Sequence, residues 1–293
     1  MKPYQFLTTI LLFLIISNLS AQVGINTTTP DASAALDITS TTSGFLPPRM
    51  TETQRNVIST QAAGLMVYCI DCGDNGELQH FNGTSWVNMV GGIATAGPPT
   101  STVFIADGVS KVFLAHNLGA DNSEDPDIPV QVIHGNYYQW GSSTIVANAS
   151  TAGDPIVGWN ITPAANGAWA DGSKTENDPC PVGFRVPTKT QWQGVMDHNT
   201  ASRTSNNAWV AGDTNFRSAI HWTPAGSSKK LTLPTAGYRD CSNGALRHRG
   251  NEGNYWSSTE NDTYAYYLYF GSSNAKTFKN LLTYGFSVRC VSE

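Results

Sequence analysis

The chain has 293 residues, of which 13% are charged and 10% are aromatic, and its formal net charge is −5. These values exclude a disordered chain, because disordered chains combine high charge with few aromatic residues. The negative net charge argues against nucleic-acid binding driven by phosphate neutralisation, but it leaves open a polar partner such as a glycan. The length allows one large domain or two smaller ones.

Residues 1–21 have the pattern of an export signal. Lys2 precedes an apolar run from Phe6 to Ile16, and the small residues Ser20 and Ala21 indicate cleavage before Gln22. The apolar run is too short to span a bilayer, and no later segment is apolar enough to do so. The sequence therefore predicts a secreted or cell-surface protein with no membrane span.

Residues 22–91 are rich in Thr and Ser, with Pro punctuation and short β-branched runs, and they predict a small β-rich module. One short helix is predicted over "ETQRNVIST", where Thr51 is a candidate N-cap and Gln54 follows three residues later. A strand from Leu65 to Ile70 and two short runs around the turn residues Asn82-Gly83 predict a hairpin arrangement.

Residues 92–102, rich in Gly, Pro and Thr, predict a linker to a larger region at residues 103–293. In that region "VPTKTQW" carries the clearest helix start, because Thr188 and Gln191 have the spacing of a capping box. A second short helix is predicted over "DTNFRSAIHW", whose apolar residues share a helical face. The runs "KKLTLPTAGYRD", "NYWSST", "AYYLYF" and "FSVRCV" predict strands. The sequence thus predicts an α+β domain with two short helices and several short strands.

The segments "NDPCPVGFRVPTKTQW", "GYRD", "NYWSST" and "GFSVRCV" resemble the Fibrobacter succinogenes major paralogous domain, over residues 103–293. The resemblance implies a C-type-lectin-like fold, which is shared with formylglycine-generating and sulfatase-modifying enzymes. It also implies a disulfide between Cys180 and Cys290. Upstream, "VGINTTTPDASAALDI", "GFLPPRMT" and "GLMVY" resemble the β-rich modules of tail-fibre-like surface proteins, which implies a homotrimer.

Cys69 and Cys72 form a C-x-x-C motif with three interpretations: a structural disulfide, a redox pair, or half of a metal site. A redox pair requires a helix start in a βαβ context, which the sequence does not predict here. A zinc site requires four ligands, and only His80 is near. The structural disulfide is therefore favoured in an exported protein.

A loop of clustered acidic residues could hold calcium through carboxylate oxygens. The candidate ligands are Asp121, Glu124, Asp125 and Asp127. The spacing of an EF-hand is absent, and a solvated acidic loop is the commoner meaning of such a run. The sequence therefore predicts no cofactor, and calcium is the one metal it leaves open.

The sequence gives little indication of a catalytic site. The sequence has no G-x-S-x-G and no H-E-x-x-H, and its histidines are scattered through different segments at His116, His134, His198 and His221. Formylglycine-generating enzymes use a cysteine pair in the C-terminal part of the domain. Here that part holds Cys241 and Cys290, and the implied disulfide already uses Cys290. We therefore expect a protein that is not an enzyme, with a catalytic relative or a structural cell-envelope component as the alternatives.

Seven of the 11 tyrosines lie between Tyr238 and Tyr284, among many Asn and Ser residues. Tyrosine offers a large contact area at a low cost in rotamer entropy, and Asn and Ser adapt their hydrogen bonds, so this composition is typical of a recognition surface. We expect a glycan or a cell-surface protein as the partner. The candidate contact residues are Asp240, Ser242, Asn243, Arg247, His248, Asn254, Tyr255, Asp262, Tyr264, Tyr267 and Tyr269.

Alternation along "AYYLYF" places Tyr267 and Tyr269 on one face of a strand. The opposite face, which carries Tyr266, Leu268 and Phe270, is predicted to be core. The residue types of the region also match those produced when a diversity-generating retroelement varies Asn codons. The simpler alternative is an ordinary loop region rich in Tyr and Asn.

Overall fold

The computed structural model describes residues 22–73, 76–90 and 97–293. The predicted export signal at residues 1–21, and residues 92–96 of the predicted linker, lie outside the described residues. Within the described ranges, no helix combines the length and apolarity needed to cross a membrane.

The chain divides into two compact units between Pro48 and Arg49. The described part of the first unit, residues 22–48, contains β1 (Val23–Ile25) and β2 (Leu36–Ile38), which pair in parallel. The second unit is Arg49–Glu293 and contains the other described elements. The domain boundaries that the sequence predicts at residues 22–91 and 103–293 stay predictions.

Short strands dominate the second unit. Its two described α-helices are α1 (Glu52–Asn56) and α2 (Lys189–His198), and single 3₁₀ turns form at Gln131–Ile133 and Asn206–Ala208. In chain order its strands are β3 (Arg49–Met50), β4 (Met66–Cys69), β5 (Glu77–Phe81), β6 (Trp86–Asn88), β7 (Thr100–Ala106), β8 (Val109–Leu114), β9 (Asn136–Gln139), β10 (Ile145–Asn148), β11 (Phe184–Arg185), β12 (Thr200–Arg203), β13 (Ala219–Thr223), β14 (Leu231–Pro234), β15 (Tyr238–Arg239), β16 (Leu246–Arg247), β17 (Gly253–Asn261), β18 (Tyr264–Phe270), β19 (Ala275–Leu281), β20 (Gly285–Ser287) and β21 (Val291–Ser292).

These strands form four sheets. Two sheets have four strands each, in the orders β3-β4-β5-β6 and β11-β21-β8-β7, and a third has the order β12-β13-β14. The largest sheet has eight strands, with β10-β9-β20-β17-β18-β19 as its main path, β15 paired to β20, and β16 paired to β15. Strands far apart in sequence therefore lie side by side in the largest sheet.

The predicted α+β, C-type-lectin-like class is wrong, because the described residues form a β-rich fold with only two α-helices. The helix predicted over "DTNFRSAIHW" is also wrong. Its second half is β13, which pairs antiparallel with both β12 and β14. Ile220 and Trp222 of β13 are buried between their neighbours. Branched and aromatic side chains suit such a pleated surface, so tertiary packing overrides the helical spacing.

The two predicted helix starts are confirmed by capping boxes. At α2, the Oγ1 atom of Thr188 accepts a hydrogen bond from the backbone N–H of Gln191 at 3.1 Å, and the side chain of Gln191 accepts one from the backbone N–H of Thr188 at 2.9 Å. Thr51 and Gln54 make the same reciprocal pair at α1. Each cap satisfies N–H groups that the first helical turn leaves without partners.

Apolar clusters cover both faces of the largest sheet. On one face, Tyr255, Leu268 and Phe270 are fully buried against α2 and the three-stranded sheet. On the other face, Trp256 and Phe286 belong to a cluster that also holds the Cys180–Cys290 disulfide. Packing on both sides of β17 and β20 forms a rigid frame, and the second face is partly open near Tyr269 and Phe278.

The core prediction for "AYYLYF" is confirmed at Leu268 and Phe270, which have no exposed surface. It is wrong for Tyr266, which is only partly buried. The ammonium of Lys189 lies 4.1 Å from the centroid of the Tyr266 ring. Tyr266 therefore lies at the edge of the core, where its ring makes a cation–π contact.

The predicted disulfide between Cys180 and Cys290 is confirmed, with the two Cα atoms 5.8 Å apart. Cys180 precedes β11 and Cys290 precedes β21, and these two strands pair antiparallel. The covalent bond therefore reinforces a strand pairing that closes a separation of 110 residues.

Candidate functional site

The candidate site is one face of the largest sheet, where β18, β19 and β20 carry tyrosine and phenylalanine. The strand register places Tyr267 opposite Trp256 on β17 and opposite Phe278 on β19. Side chains alternate along a strand, so Tyr269 lies on the same side as Tyr267, and Leu268 lies on the other side. The alternation predicted for "AYYLYF" is confirmed.

Rings from several strands meet on this face. The Tyr238 ring lies 5.5 Å from that of Tyr284 and stacks on His248 at 5.7 Å, measured between centroids. Tyr267 and Tyr284 both contact Phe286, at 4.6 and 5.6 Å. We define the aromatic face as Tyr238, His248, Tyr267, Tyr269, Phe278 and Tyr284.

A buried floor fixes these rings. Trp256 and Phe286 have almost no exposed surface and lie 4.2 Å apart, and Tyr267 above them is 8% exposed. Phe278, at 40%, is the more open edge of the face. The partly buried rings between floor and edge are Tyr238, Tyr269 and Tyr284. Rings held in this way lose little side-chain entropy when a ligand covers them.

An acidic side chain, Glu252, lies beside the aromatic face. Its Oε1 atom is 3.4 Å from Nδ1 of His248, and burial raises the pKa of Glu252. Burial, and after it the charge of Glu252, raises the pKa of Tyr267 to about 12. The same two causes raise the pKa of Tyr238 and of Tyr269. These phenols therefore stay protonated at neutral pH, with hydroxyls that can donate and accept hydrogen bonds.

The loop between β15 and β16 borders the aromatic face and is internally braced. The hydroxyl and the backbone N–H of Ser242 donate to the Asp240 carboxylate at 2.6 and 2.9 Å, which lowers the pKa of Asp240. The indole N–H of Trp159 donates to the carbonyl of Cys241 at 3.1 Å. Gly244 has a φ of +70°, and a Cβ there would lie 2.3 Å from the Trp159 ring, so the loop requires glycine at this position.

The structure separates the predicted contact residues into three groups. Those beside or within the aromatic face that have exposed surface are Asp240, Ser242, Asn243, Arg247, His248 and Tyr269. Asp262 and Tyr264 are exposed at the turn between β17 and β18. Tyr264 lies on the side of β18 that carries Leu268, so it does not share a surface with Tyr269. The third group is buried and consists of Asn254, Tyr255 and Tyr267.

A contact role for Tyr255 and Asn254 is contradicted by their burial. Tyr255 has no exposed surface, its hydroxyl donates to the carbonyl of Pro234 at 2.7 Å, and its ring stacks on Phe270. Asn254 is 2% exposed. These two side chains build the core, and unrestricted variation there would disrupt packing. Tyr267, at 8% exposure, is the buried member of the aromatic face.

Sequence reasoning does not select three members of the aromatic face, Tyr238, Phe278 and Tyr284. Phe278 lies in "AKTFKNL", whose apolar residues are three apart and therefore lack the alternation of a strand, although the segment forms β19. Tyr238 and Tyr284 had no local signal. They reach the face because β15 and β20 pair with each other and β20 pairs with β9 and β17, which are distant in sequence.

The two metal hypotheses gain no support from the described residues. Cys69 and Cys72 are joined by a disulfide, so neither sulfur is a free thiolate. Their neighbour Asp71 completes the one cluster of three metal-ligating side chains found in the described residues. The carboxylates of the acidic loop do not point to a common site. Asp121 accepts hydrogen bonds from Ser123, whereas Asp127 accepts one from Thr232 and forms an ion pair with Lys230.

Two known families match successive segments of the chain, and the boundary between the two matches lies within the second unit. A family model described as the Fibrobacter succinogenes major domain matches residues 107–292, and one described as a phage tail like trimerisation region matches residues 24–103. No curated protein and no solved structure matches the chain. The two families indicate a surface or structural protein, and the N-terminal match fits a homotrimer.

Proposed function

The chain belongs to the Fibrobacter succinogenes major domain family, and we propose that residues 107–292 form the recognition domain of an exported surface protein. The aromatic face is its binding site, and a glycan is the ligand class that the face fits best. The observation that carries this proposal is the set of partly buried tyrosines, Tyr238, Tyr269 and Tyr284, held on one sheet face above a fully buried floor.

The chemistry of the face suits a sugar. Planar rings offer apolar surface for the C–H side of a pyranose, and the protonated phenols offer hydrogen bonds to its hydroxyls. Polar side chains around the rings add donors and acceptors. These are Asp240, Arg247, Glu252 and also Lys276, which lies opposite Tyr269 on β19 with its ammonium 4.4 Å from the centroid of the Phe278 ring. A protein of another surface is the second candidate ligand, since tyrosine-rich faces also serve protein recognition.

We propose export for the whole protein. The first 21 residues have the composition of an export signal. Two disulfides, Cys69–Cys72 and Cys180–Cys290, are also typical of an oxidising compartment. Three chains would assemble through the N-terminal region, so that three recognition domains bind a repetitive surface with avidity greater than that of one domain.

We propose binding without catalysis. Four of the five cysteines form disulfides, and Cys241 is the one that remains free. The cysteine-pair chemistry of a formylglycine-generating enzyme would therefore have to break the Cys180–Cys290 bond. A passive structural component of the cell envelope remains the alternative, and it predicts no saturable ligand binding by the aromatic face.

The test is a binding screen of the full chain on a glycan array and on intact cells. Tyr269→Ala and Tyr284→Ala should each weaken binding to the strongest ligand about tenfold or more, because each removes a ring from the centre of the site. Tyr264→Ala is the matched control, since this exposed tyrosine lies on the other side of β18. Circular dichroism checks that each variant folds.

Equal affinity of the parent and of both aromatic-face variants would refute the assignment of the site. Binding lost only with Tyr264→Ala would move the site to the β17–β18 turn. A parent chain that binds no array glycan and no cell surface would favour the structural alternative.

A further inference from the structure

Within the described residues 22–48, one side of the two-stranded sheet carries four aliphatic side chains that remain substantially exposed. In the pairing of β1 with β2, Val23 lies opposite Leu36 and Ile25 lies opposite Ile38. These four side chains share one side of the two strands, because each strand alternates. They are 55%, 49%, 45% and 37% exposed, in that order. We call this set the apolar strand face.

The opposite side of the same two strands is occupied by the loop that joins them. A Cβ at Gly24 would lie 2.6 Å from the carbonyl oxygen of Thr27, so the loop touches the backbone of β1 there. The Asp37 carboxylate accepts a hydrogen bond from the backbone N–H of Asp31 at 2.9 Å. The side chain of Gln22 donates to the carbonyls of Asp31 and Ala32 at 3.2 and 3.1 Å. These contacts hold the loop against that side of the strands, so the loop does not cover the apolar side.

The described part of this unit does not bury an apolar core of its own. Its described part spans residues 22–48, and its strands have three residues each. Two-stranded units of this size are marginal in water unless another element covers them. The exposure of all four aliphatic side chains shows that the loop does not provide that cover.

We propose that two further copies of this chain cover the apolar strand face, so that Val23, Ile25, Leu36 and Ile38 of three chains pack around a threefold axis. This assignment rests on the proposed homotrimer and names its contact. The match to a trimerisation region begins at residue 24, inside β1, which places these strands in the part of the chain that resembles trimerising proteins.

The charges of the unit favour this arrangement. The only charged residues at positions 22–48 are Asp31 and Asp37. Asp37 lies on the loop side of β2 and holds the loop through Asp31. The apolar strand face therefore carries no charge, and identical copies can meet there without like-charge repulsion or buried carboxylates. A closed threefold ring then leaves no copy of the face open to solvent.

The first measurement is the mass of the full chain in solution by light scattering and by sedimentation. The parent should have the mass of three chains. Ile25→Asp and Leu36→Asp each put a carboxylate into the contact and should lower the mass to that of one chain at the same concentration. Thr28→Asp is the matched control, because it adds the same charge at an exposed loop position, and it should keep the mass of three chains.

A cross-link provides a readout that does not depend on dissociation. In a Cys241→Ser background, Ile25→Cys should form disulfide-linked dimers under mild oxidation, because residues close to a threefold axis meet their own copies. Thr28→Cys should remain uncrosslinked. If the aspartate variants aggregate, this cross-link decides, and its absence refutes the assignment.

These measurements test the assignment of the contact residues separately from the existence of the homotrimer. A three-chain mass in both aspartate variants would overturn the apolar strand face and leave the homotrimer standing. A one-chain mass for the parent would overturn both. In either case, the assignment of the ligand site to the aromatic face is tested separately, by the variants of that face.

Discussion

Cys180 and Cys290 are joined by a disulfide across 110 residues, and the strands that follow them, β11 and β21, pair with each other. Cys290 is fully buried and Cys180 is 5% exposed, within the cluster that supports the aromatic face. The bond thus ties the loop region before α2 to the last strand of the chain, and the floor of the site depends on both.

Removing this bond should cost much of the stability of the second unit. For a loop of this length, the chain-entropy estimate is about 5 kcal/mol, because the cross-link restricts the unfolded chain. We expect Cys180→Ser/Cys290→Ser to lower the free energy of unfolding by several kcal/mol in urea titrations. The matched control is Cys69→Ser/Cys72→Ser, which opens a bond of sequence separation 3 and should cost only about 2 kcal/mol. Equal losses in the two double variants would contradict this account.

Features set by near neighbours were predictable from the sequence. The capping boxes of α1 and α2 depend on residues three positions apart, and the core positions Leu268 and Phe270 follow from strand alternation. The pairing of Cys180 with Cys290 came from family resemblance, and its strand context agrees with it. In each case the deciding signal is short-range or is carried by a motif.

The predictions that were wrong concern residues whose positions depend on contacts between distant segments of the chain. The spacing of Phe216, Ala219 and Ile220 suits a helix, but β12 and β14 pair with the segment from Ala219 onward and make it a strand. The Tyr- and Asn-rich sequence around Tyr255 predicts a surface position, but α2 and β14 cover this side chain in the structure. Tyr284 joins the aromatic face only because β20 pairs with remote strands. Composition therefore predicted the region of the candidate site, but it could not distinguish the exposed residues of that region from the buried residues beneath them.

Gly194 in the middle of α2 should not tolerate alanine. Helix propensity alone favours alanine over glycine by about 1 kcal/mol. However, a Cβ at this position would lie 1.8 Å from the carbonyl oxygen of Ile105, so α2 would have to move away from the edge of β7. We expect Gly194→Ala to lower the free energy of unfolding by about 1–3 kcal/mol. The exposed neighbour Gln193→Ala should change it by less than about 0.5 kcal/mol. A more stable Gly194→Ala variant would show that α2 is not docked this closely.

Acid should destabilise the fold partly through His134. This side chain is fully buried, its Nε2 atom lies 3.3 Å from the carbonyl of Phe216, and burial lowers its pKa to about 3. In the unfolded chain the pKa of this histidine is about 6.5. The contribution of neutral His134 to the free energy of unfolding is therefore fully present above that pH and is lost as the pH falls toward about 3. At about pH 4.5 the loss from this one group is on the order of 2–3 kcal/mol.

The measurement is urea unfolding at neutral pH and at about pH 4.5 for the parent and for His134→Gln, which keeps a donor for the Phe216 carbonyl. Burial also lowers the pKa of His116 and His221, so both proteins should weaken in acid. The variant should lose less stability than the parent. An identical loss would mean that His134 is protonated, or accessible to water, in the folded state.

The thiol of Cys241 should be the one reactive cysteine of the native chain. It is partly buried, and burial together with a hydrogen bond to Cys241 raises the pKa of Tyr284. Titration with a chromogenic disulfide reagent should find one thiol per chain, none in Cys241→Ser, and five after reduction and unfolding. Tyr284→Phe should change the rate of reaction, because it removes the hydroxyl that engages the sulfur, whereas Tyr266→Phe should not. Three thiols in the native state would show that Cys69 and Cys72 are reduced, and none in the parent would show that Cys241 is bonded to another chain.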